Sequence, residues 1–201
     1  VVMKLPEIVG MSGTNGAGKD VLGELLAERC GYHFHSVSEL LRDELRRQGK
    51  EVTRENQSAL SRQWRNESGD DGIMFTKAIE VYKKEKAAKG YKGLVLINAR
   101  HPGESAVVHK QGGVMVWVDA DQRLRYERVV VNNKRSGRED NHYETFEHFQ
   151  ADEYREMHPP KDAPAGTLHM AAVKEIADIH IENDFPSLEA YKEYLIKEFE
   201  L

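Results

Sequence analysis

The segment that most constrains this chain runs Gly13-Thr14-Asn15-Gly16-Ala17-Gly18-Lys19-Asp20, directly after the apolar run Ile8-Val9-Gly10-Met11. It matches the phosphate-binding pattern G-x-x-x-x-G-K, but Asp20 stands where Ser or Thr usually follows the lysine. Glycines permit a tight turn whose backbone N–H groups point at phosphate oxygens, and Lys19 adds a positive charge. An apolar strand before the turn and an amphipathic helix after it are the context that the motif requires, so we predict a nucleotide-phosphate site. The alternative is a glycine-rich turn with one solvated lysine.

Size and composition bound the class of protein. A chain of 201 residues is expected to form a single domain over residues 1–201, with room for small inserted lobes. Its 39% apolar and 31% charged residues are typical of a soluble globule, and no apolar run approaches the roughly 20 residues that span a bilayer. The net charge of −5 disfavours nucleic acid as a partner. The single cysteine, Cys30, excludes an internal disulfide and suits the cytoplasm.

Apolar strand-like runs alternate with segments of helical periodicity, which predicts an α/β fold with a parallel sheet covered by helices. The predicted strands are Glu7–Met11, Tyr32–Ser36, Leu94–Asn98, Val114–Asp119 and Asp178–Glu182. The predicted helices are Gly18–Cys30, Ser38–Gln48, Arg54–Asn66, Ile73–Lys89, Glu104–Lys110, Gln122–Asn133, Tyr143–Met157 and Ser187–Phe199. The third and fourth strands are almost wholly apolar, as expected for strands buried on both faces.

Two segments interrupt this alternation. About sixty residues, rich in charge and helical in period, lie between the second and third strands. Between the fourth and fifth strands lies the polar stretch Asn132-Asn133-Lys134-Arg135-Ser136-Gly137-Arg138-Glu139-Asp140-Asn141, which leads into an acidic and aromatic helix. Long loops of this kind inside a compact domain are usually functional.

Arginines lie in or beside both interrupting segments. The planar guanidinium group grips phosphate oxygens in a bidentate way, so these arginines are candidates for phosphate binding. Arg100 is the strongest, because it follows the third strand, and ligands of open α/β sheets bind at the carboxyl ends of strands. For each of the others a solvated surface charge is the alternative; they are Arg42, Arg54, Arg62, Arg65, Arg128, Arg135 and Arg138.

Taken in order, these segments resemble the nucleoside-monophosphate kinase group of P-loop small-molecule kinases. The resemblance is greatest to the adenylate/cytidylate-kinase-like and dephospho-CoA-kinase-like members. The glycine-rich segment, hereafter the P-loop (residues 13–20), is the specific motif. The supporting segments are Ser38-Glu39-Leu40-Leu41-Arg42, Asn98-Ala99-Arg100, Val118-Asp119-Ala120-Asp121, Arg125-Tyr126-Glu127-Arg128, the basic stretch that follows, and Ala177-Asp178-Ile179-His180-Ile181-Glu182-Asn183.

The resemblance implies a three-layer P-loop kinase fold with a five-stranded parallel sheet, a helical acceptor-binding insertion at about residues 37–90 and a lid at about residues 132–143. It implies transfer of the γ-phosphoryl group of ATP, with Mg²⁺, to a phosphorylated small molecule. The P-loop with Lys19 would hold the phosphates of ATP, and Asn183 would border its purine. Ser38, Arg42, Arg65 and Arg100 would hold the acceptor, and Arg128, Arg135 and Arg138 would close over the transferring group.

Two positions depart from the family pattern at the expected Mg²⁺ site. Asp20 replaces the metal-binding hydroxyl, and Asn98 stands at the end of the third strand, where a carboxylate is common. Mg²⁺ prefers one or two carboxylates together with phosphates and water, so we hypothesise that Asp20 supplies the contact that Asn98 cannot. The alternative is an N-terminal Asp favoured by the helix dipole alone.

A third departure concerns the acceptor. After the second strand, His35-Ser36-Val37-Ser38 lacks the acid that dephospho-CoA kinases place there to take a hydroxyl proton. A phosphate acceptor needs no such base, which favours a nucleoside monophosphate or a similar nucleotide-like acceptor. Dephospho-CoA kinase activity is the alternative, with His35 as a possible base against a packed histidine. A P-loop ATPase module that acts on a protein partner, and a binding-only relic, are the remaining alternatives.

Overall fold

The computed structural model describes residues 4–136, 143, 145–163 and 167–201. Within these ranges the chain forms a parallel sheet of five strands in the order β2-β3-β1-β4-β5. The strands are β1 (Ile8–Gly13), β2 (Tyr32–Ser36), β3 (Gly93–Ile97), β4 (Val114–Asp119) and β5 (Ile179–Glu182). All five predicted strands are present, and β2 and β4 have their predicted bounds.

Helices connect the strands and cover the sheet. They are α1 (Asp20–Cys30), α2 (Val37–Arg47), α3 (Arg54–Ser68), α4 (Ile73–Lys89), α5 (Pro102–Lys110), α6 (Gln122–Ser136), α7 (Phe146–Met157), α8 (Met170–Glu175) and α9 (Leu188–Phe199). The sequence predicted each of them except α8. No helix in the described ranges combines the length and apolar character that a bilayer crossing requires.

The structure corrects two helix predictions. Helix α7 begins at Phe146 and not at Tyr143, because extended Thr145 caps it by accepting a hydrogen bond from the His148 N–H. Helix α8 is a short helix that was not predicted. Its two buried residues, Met170 and Val173, lie three positions apart. This spacing is the only helical periodicity in the segment that the sequence could have shown.

The core has two layers because the side chains of each strand alternate between the sheet faces. On one face of β1, Val9 and Met11 pack with α1 and α9, and half-buried Cys30 borders this layer. On the other face Ile8 packs with α4 and α5. The strands β1, β3 and β4 are buried almost throughout, as their apolar sequences predicted.

The charged segment between β2 and β3 folds as the helices α2, α3 and α4. Leu41, Leu45, Leu60 and Met74 form a small core of their own that joins the three helices. Helix α4 also reaches the sheet, because its Phe75 packs in the main core. Helix α3 is therefore joined to the sheet through α4.

Candidate functional site

The P-loop connects β1 to α1 in a conformation that requires glycine. Gly13 and Gly16 have φ values of 153° and 81°, which side-chain-bearing residues rarely adopt. A Cβ atom at Gly13 would lie 2.1 Å from the Val118 carbonyl oxygen, and one at Gly16 would lie 2.6 Å from the Arg125 carbonyl oxygen. The loop is therefore packed against β4 and α6 by direct backbone approach.

The P-loop presents free backbone donors. The Thr14 N–H donates to the Val118 carbonyl and the Ala17 N–H to the Thr14 carbonyl. Within the described part of the chain, no backbone acceptor receives the N–H groups of Asn15, Gly16, Gly18 or Lys19. Helix α1 starts at Asp20, so its positive end adds to these donors. This combination is suited to binding an anion such as a phosphate chain.

Two cations share one cavity beside the P-loop. Lys19 and Arg100 both line it, together with Ser12, Gly13, Asn15, Asn98, Ala99, Tyr143, Glu156 and Met170. Burial lowers the pKa of Lys19, and the positive charge of Arg100 acts in the same direction. The negative charges of Asp20 and Glu156 oppose this decrease. The structure thus brings Arg100, the arginine that the sequence predicted to bind the acceptor, into one cavity with Lys19.

A local irregularity after β3 directs Arg100 into this cavity. Asn98 has a φ of 64°, which turns the chain out of the strand. The next peptide is fixed on both sides, because the Ala99 N–H donates to the Met11 carbonyl and the Ser12 hydroxyl donates to the Ala99 carbonyl at 2.6 Å. Arg100 follows directly and is exposed to the cavity.

Asp119, at the end of β4, fixes the P-loop from behind. Its carboxylate accepts hydrogen bonds from the Thr14 hydroxyl at 2.7 Å and from the Lys174 ammonium group at 2.9 Å. Burial by itself raises the pKa of Asp119, but the donors Lys174, Thr14, the Ala120 N–H and Trp117 outweigh burial and lower it. No role was predicted for Asp119, although an acid that ends a buried apolar strand is a usable signal in the sequence.

Arg125 joins the P-loop to α7. Its side chain is 4% exposed and forms an ion pair with Glu153. Its Nη1 also donates to the Asn15 carbonyl at 3.3 Å, and its Nε donates to the Ala120 carbonyl at 2.9 Å. Sequence reasoning missed this arginine, because only the fold brings α7 next to α6.

Asn183 and Arg128 lie at the loop that follows β5. The Asn183 amide donates to the Ala17 carbonyl at 2.8 Å, so it supports the P-loop directly. Arg128 donates from Nη2 to the carbonyl oxygens of Asn183 and Phe185. Arg128 is thus engaged with the β5 loop, whereas the sequence grouped it with the lid. Arg138 and the side chain of Arg135 lie outside the described residues, as do residues 137–142 of the predicted lid.

A buried acid, Glu104, brings Arg65 close to Arg100. Glu104 accepts hydrogen bonds from the backbone N–H groups of Arg100, at 2.7 Å, and His101, at 3.2 Å. Arg65 Nη2 lies 3.9 Å from the same carboxylate, and its Nη1 donates to Ser61. Burial raises the pKa of Glu104 to about 7 against the effect of these donors. The Nε atom of Arg65 is buried without a partner in the described part of the chain.

Four other residues considered from the sequence lie away from this cluster. Ser38 and Arg42 are exposed on α2 and are not among the described residues that line the cavity. His35 is buried, and burial lowers its pKa, which agrees with a packed histidine. Asp20 is exposed at the first position of α1.

A metal would have few protein ligands here. Among the described residues, no three His, Cys, Asp or Glu side chains converge as a metal site. Both oxygens of Asp119 already accept hydrogen bonds from Thr14, Ala120, Trp117 and Lys174. Exposed Asp20 is free to supply one carboxylate, and Mg²⁺ is commonly held by one or two carboxylates plus phosphates and water. The residues present therefore fit a Mg²⁺ ion that is bound mainly through the phosphates.

No protein-family model matches the chain. In sequence it is similar to a UPF0200 protein of Hyperthermus butylicus, with 34% identity over 124 residues that cover 61% of this chain and 63% of that protein. A UPF0200 protein of Aeropyrum pernix is 30% identical over 132 residues, which cover 65% of this chain and 66% of that protein. The chain thus matches slightly less than two thirds of the length of each of these two relatives.

The fold is similar to that of shikimate kinase from Acinetobacter baumannii, solved in complex with shikimate. The TM-score is 0.53 at 19% identity, and the match covers 96% of this chain and 90% of the kinase. Together with the sheet order and the P-loop, this likeness shows that the chain has the P-loop kinase fold, as its sequence predicted.

Proposed function

We propose that this chain is an ATP-dependent phosphotransferase that moves the γ-phosphoryl group of ATP to a small acceptor with an anionic group. The observation that carries the proposal is the shared cavity, with the P-loop donors and Lys19 on one wall and Arg100 on the other. A nucleoside monophosphate or a similar nucleotide-like molecule, the acceptor expected from the sequence, has such an anionic group. The P-loop kinase fold and the net charge of −5 support a small molecule over nucleic acid as the partner.

The arrangement suits phosphoryl transfer because that reaction requires alignment and cations more than covalent chemistry from the protein. The P-loop amides and Lys19 would bind the phosphates of ATP. Arg100, with Arg65 behind it, would hold the anionic group of the acceptor. Arg135 and Arg138 would close over the site, a role that stays a prediction.

Asp20 would supply a contact to Mg²⁺, directly or through water, and the metal would neutralise charge on the phosphates. Replacing Asp20 with Ala is expected to raise the Mg²⁺ concentration needed for half-maximal turnover. A titration of activity with Mg²⁺ at saturating ATP measures this. An unchanged titration curve would contradict the metal role and leave the helix dipole as the reason for Asp20.

A coupled ADP-release assay with nucleoside monophosphates, deoxynucleotides and dephospho-CoA tests the proposed function. Lys19→Ala should abolish transfer, because it removes the charge that faces the phosphates. Arg100→Ala should raise the acceptor KM about tenfold or more, with the KM for ATP changed less than about twofold. Arg46→Ala is the matched control, since Arg46 is an exposed arginine paired with Asp43.

Two outcomes would contradict the proposal. Unaltered acceptor kinetics in the Arg100 variant would exclude its acceptor role. ATP hydrolysis that no acceptor changes, but that a protein partner accelerates, would identify an ATPase module instead.

A further inference from the structure

One carboxylate in the cavity has no role in the proposed function so far. Glu156 of α7 lines the cavity next to Lys19 and Arg100. It also lines the adjoining pocket with Asn15 and Tyr143. Its negative charge acts against the decrease in the pKa of Lys19, which lines the same cavity. Among the described residues that line the larger cavity, Glu156 is the sole carboxylate.

The direction of Glu156 is fixed by how α7 is attached. Phe149, Glu153 and Glu156 occupy positions i, i+4 and i+7, which share one face of a helix. Phe149 is 1% exposed, so this face packs inward. Glu153 accepts a hydrogen bond from Arg125 Nη2 at 2.9 Å, and Arg125 also binds the Asn15 carbonyl of the P-loop. Glu156, almost one turn further on, therefore faces the cavity from a helix that is joined to the P-loop.

The other acids near the site cannot take its place. Asp119 is saturated with donors behind the P-loop, and Glu104 is buried behind Arg100 with its Oε2 on two backbone N–H groups. Asn98 ends β3 without a charge. An anionic acceptor oxygen would be repelled by a carboxylate, whereas a hydroxyl group donates a hydrogen bond to it. The chemistry at this point in the cavity thus favours a hydroxyl group.

We propose that Glu156 binds the hydroxyl group that receives the phosphoryl group, so the acceptor is a hydroxylated small molecule whose anionic group is held by Arg100. This inference rests on the proposed function and favours a hydroxyl over the phosphate of a nucleoside monophosphate. The hydroxyl oxygen forms a bond to the γ-phosphorus as the bond to the β-phosphate oxygen breaks. The hydroxyl proton passes to the Glu156 carboxylate, and ADP leaves with the bonding electron pair.

The test compares two acceptor panels with the full chain and MgATP. One panel contains nucleoside monophosphates; the other contains shikimate, gluconate, ribose 5-phosphate and dephospho-CoA. We expect turnover with a member of the second panel, and a decrease in kcat of about 100-fold or more in Glu156→Gln with the KM for ATP nearly unchanged. The kcat of the wild-type chain should decrease at acidic pH, where a carboxylate base becomes protonated. This decrease should be absent in Glu156→Gln, a difference that a purely structural role of Glu156 would not produce.

A matched control and a second readout keep the inference testable without the natural acceptor. Glu147→Gln alters an exposed acid at the start of the same helix and should retain full activity. Water also presents a hydroxyl, so slow ATP hydrolysis without acceptor should fall about tenfold or more in Glu156→Gln.

Three results would overturn the inference, and they separate it from the proposed function. Turnover of a nucleoside monophosphate that Glu156→Gln leaves unchanged refutes the role of Glu156 alone. Equal rates of ATP hydrolysis in Glu156→Gln and the wild-type chain also refute the role of Glu156 alone. Absence of MgATP binding to the wild-type chain in calorimetry overturns both proposals.

Discussion

Two buried carboxylates, Asp119 and Glu104, stand behind the two walls of the cavity and behave in opposite ways. Asp119 supports the P-loop through Thr14, and its pKa is lowered. Glu104 accepts a hydrogen bond from the Arg100 backbone N–H, and its pKa is raised to about 7. Burial favours the neutral acid at both positions, so the difference must come from the donors that each carboxylate receives.

The donors differ in number and charge. Asp119 accepts hydrogen bonds from the Lys174 ammonium group, the Thr14 hydroxyl and the Trp117 indole as well as from a backbone N–H. Glu104 receives two backbone N–H groups, and its cation Arg65 stays 3.9 Å away. The P-loop is therefore held by a carboxylate whose pKa is lowered, while the acid beside Arg100 changes its charge near neutral pH.

The largest expected loss of stability comes from removing Asp119, the acid that accepts more hydrogen bonds. Asp119→Ala should lower the free energy of unfolding by about 3 kcal/mol at pH 7, because it leaves the Lys174 ammonium group and the Thr14 hydroxyl without their acceptor. Urea unfolding followed by circular dichroism measures the change. The folded pKa of Asp119 is lowered, so its contribution should be present above pH 3.8 and should be lost as the pH falls through the folded pKa.

The control for Asp119 is an aspartate that forms an ion pair on the surface. Asp43 pairs with Arg46, and the two side chains are 72% and 64% exposed. Asp43→Ala should cost less than about 1 kcal/mol, since exposed pairs are screened by solvent. Equal losses in the two variants would show that the Asp119 cluster is no more stabilising than a surface pair.

Glu104 should give a pH effect of the opposite sign to that of Asp119, and Glu104→Gln should remove it. The raised folded pKa means that Glu104 stabilises the fold fully below pH 4.5, and that this contribution is lost as the pH rises through about 7. Between pH 5 and pH 8 the wild-type chain should therefore lose about 2 to 3 kcal/mol more unfolding free energy than the Gln variant. Urea unfolding at the two pH values measures the slope, and the exposed Glu55→Gln serves as the control. If the unfolding free energies of the wild type and Glu104→Gln change equally between the two pH values, the raised pKa of Glu104 is contradicted.

The smallest effect is expected where Asp119 touches the P-loop. Thr14→Val keeps the shape of the side chain but removes the hydroxyl that donates to Asp119 at 2.7 Å. It should cost about 1 to 2 kcal/mol of stability and weaken ATP binding several-fold, as the loop loses one of its fixed points. Calorimetry with MgATP measures the affinity. The control is Thr76→Val, which removes the 3.4 Å hydrogen bond from the Thr76 hydroxyl in α4 to the Gly72 carbonyl and should leave the affinity for ATP unchanged. An equal loss of affinity in this control would mean that the effect of Thr14→Val is not specific.

Much of this fold could be predicted because its signals are local. The apolar runs of β3 and β4 and the period of α4 lie in continuous sequence, and α4 has its predicted bounds. Helix α8 was missed because six residues with two buried positions give too little periodicity. The start of α7 was misplaced because the cap at Thr145, and not apolar periodicity, decides where the helix begins.

The sequence by itself determined the P-loop, since its glycines, its lysine and the strand before it are consecutive and need only backbone geometry to form a phosphate cradle. The tertiary structure alone decided which side chains surround that cradle. Thr14 meets Asp119 across 105 positions of sequence, Arg125 meets Glu153 across 28, and Glu156 faces Lys19 from a different helix. Such contacts follow from the order of parallel strands and the packing of α7, which no spacing along the chain encodes.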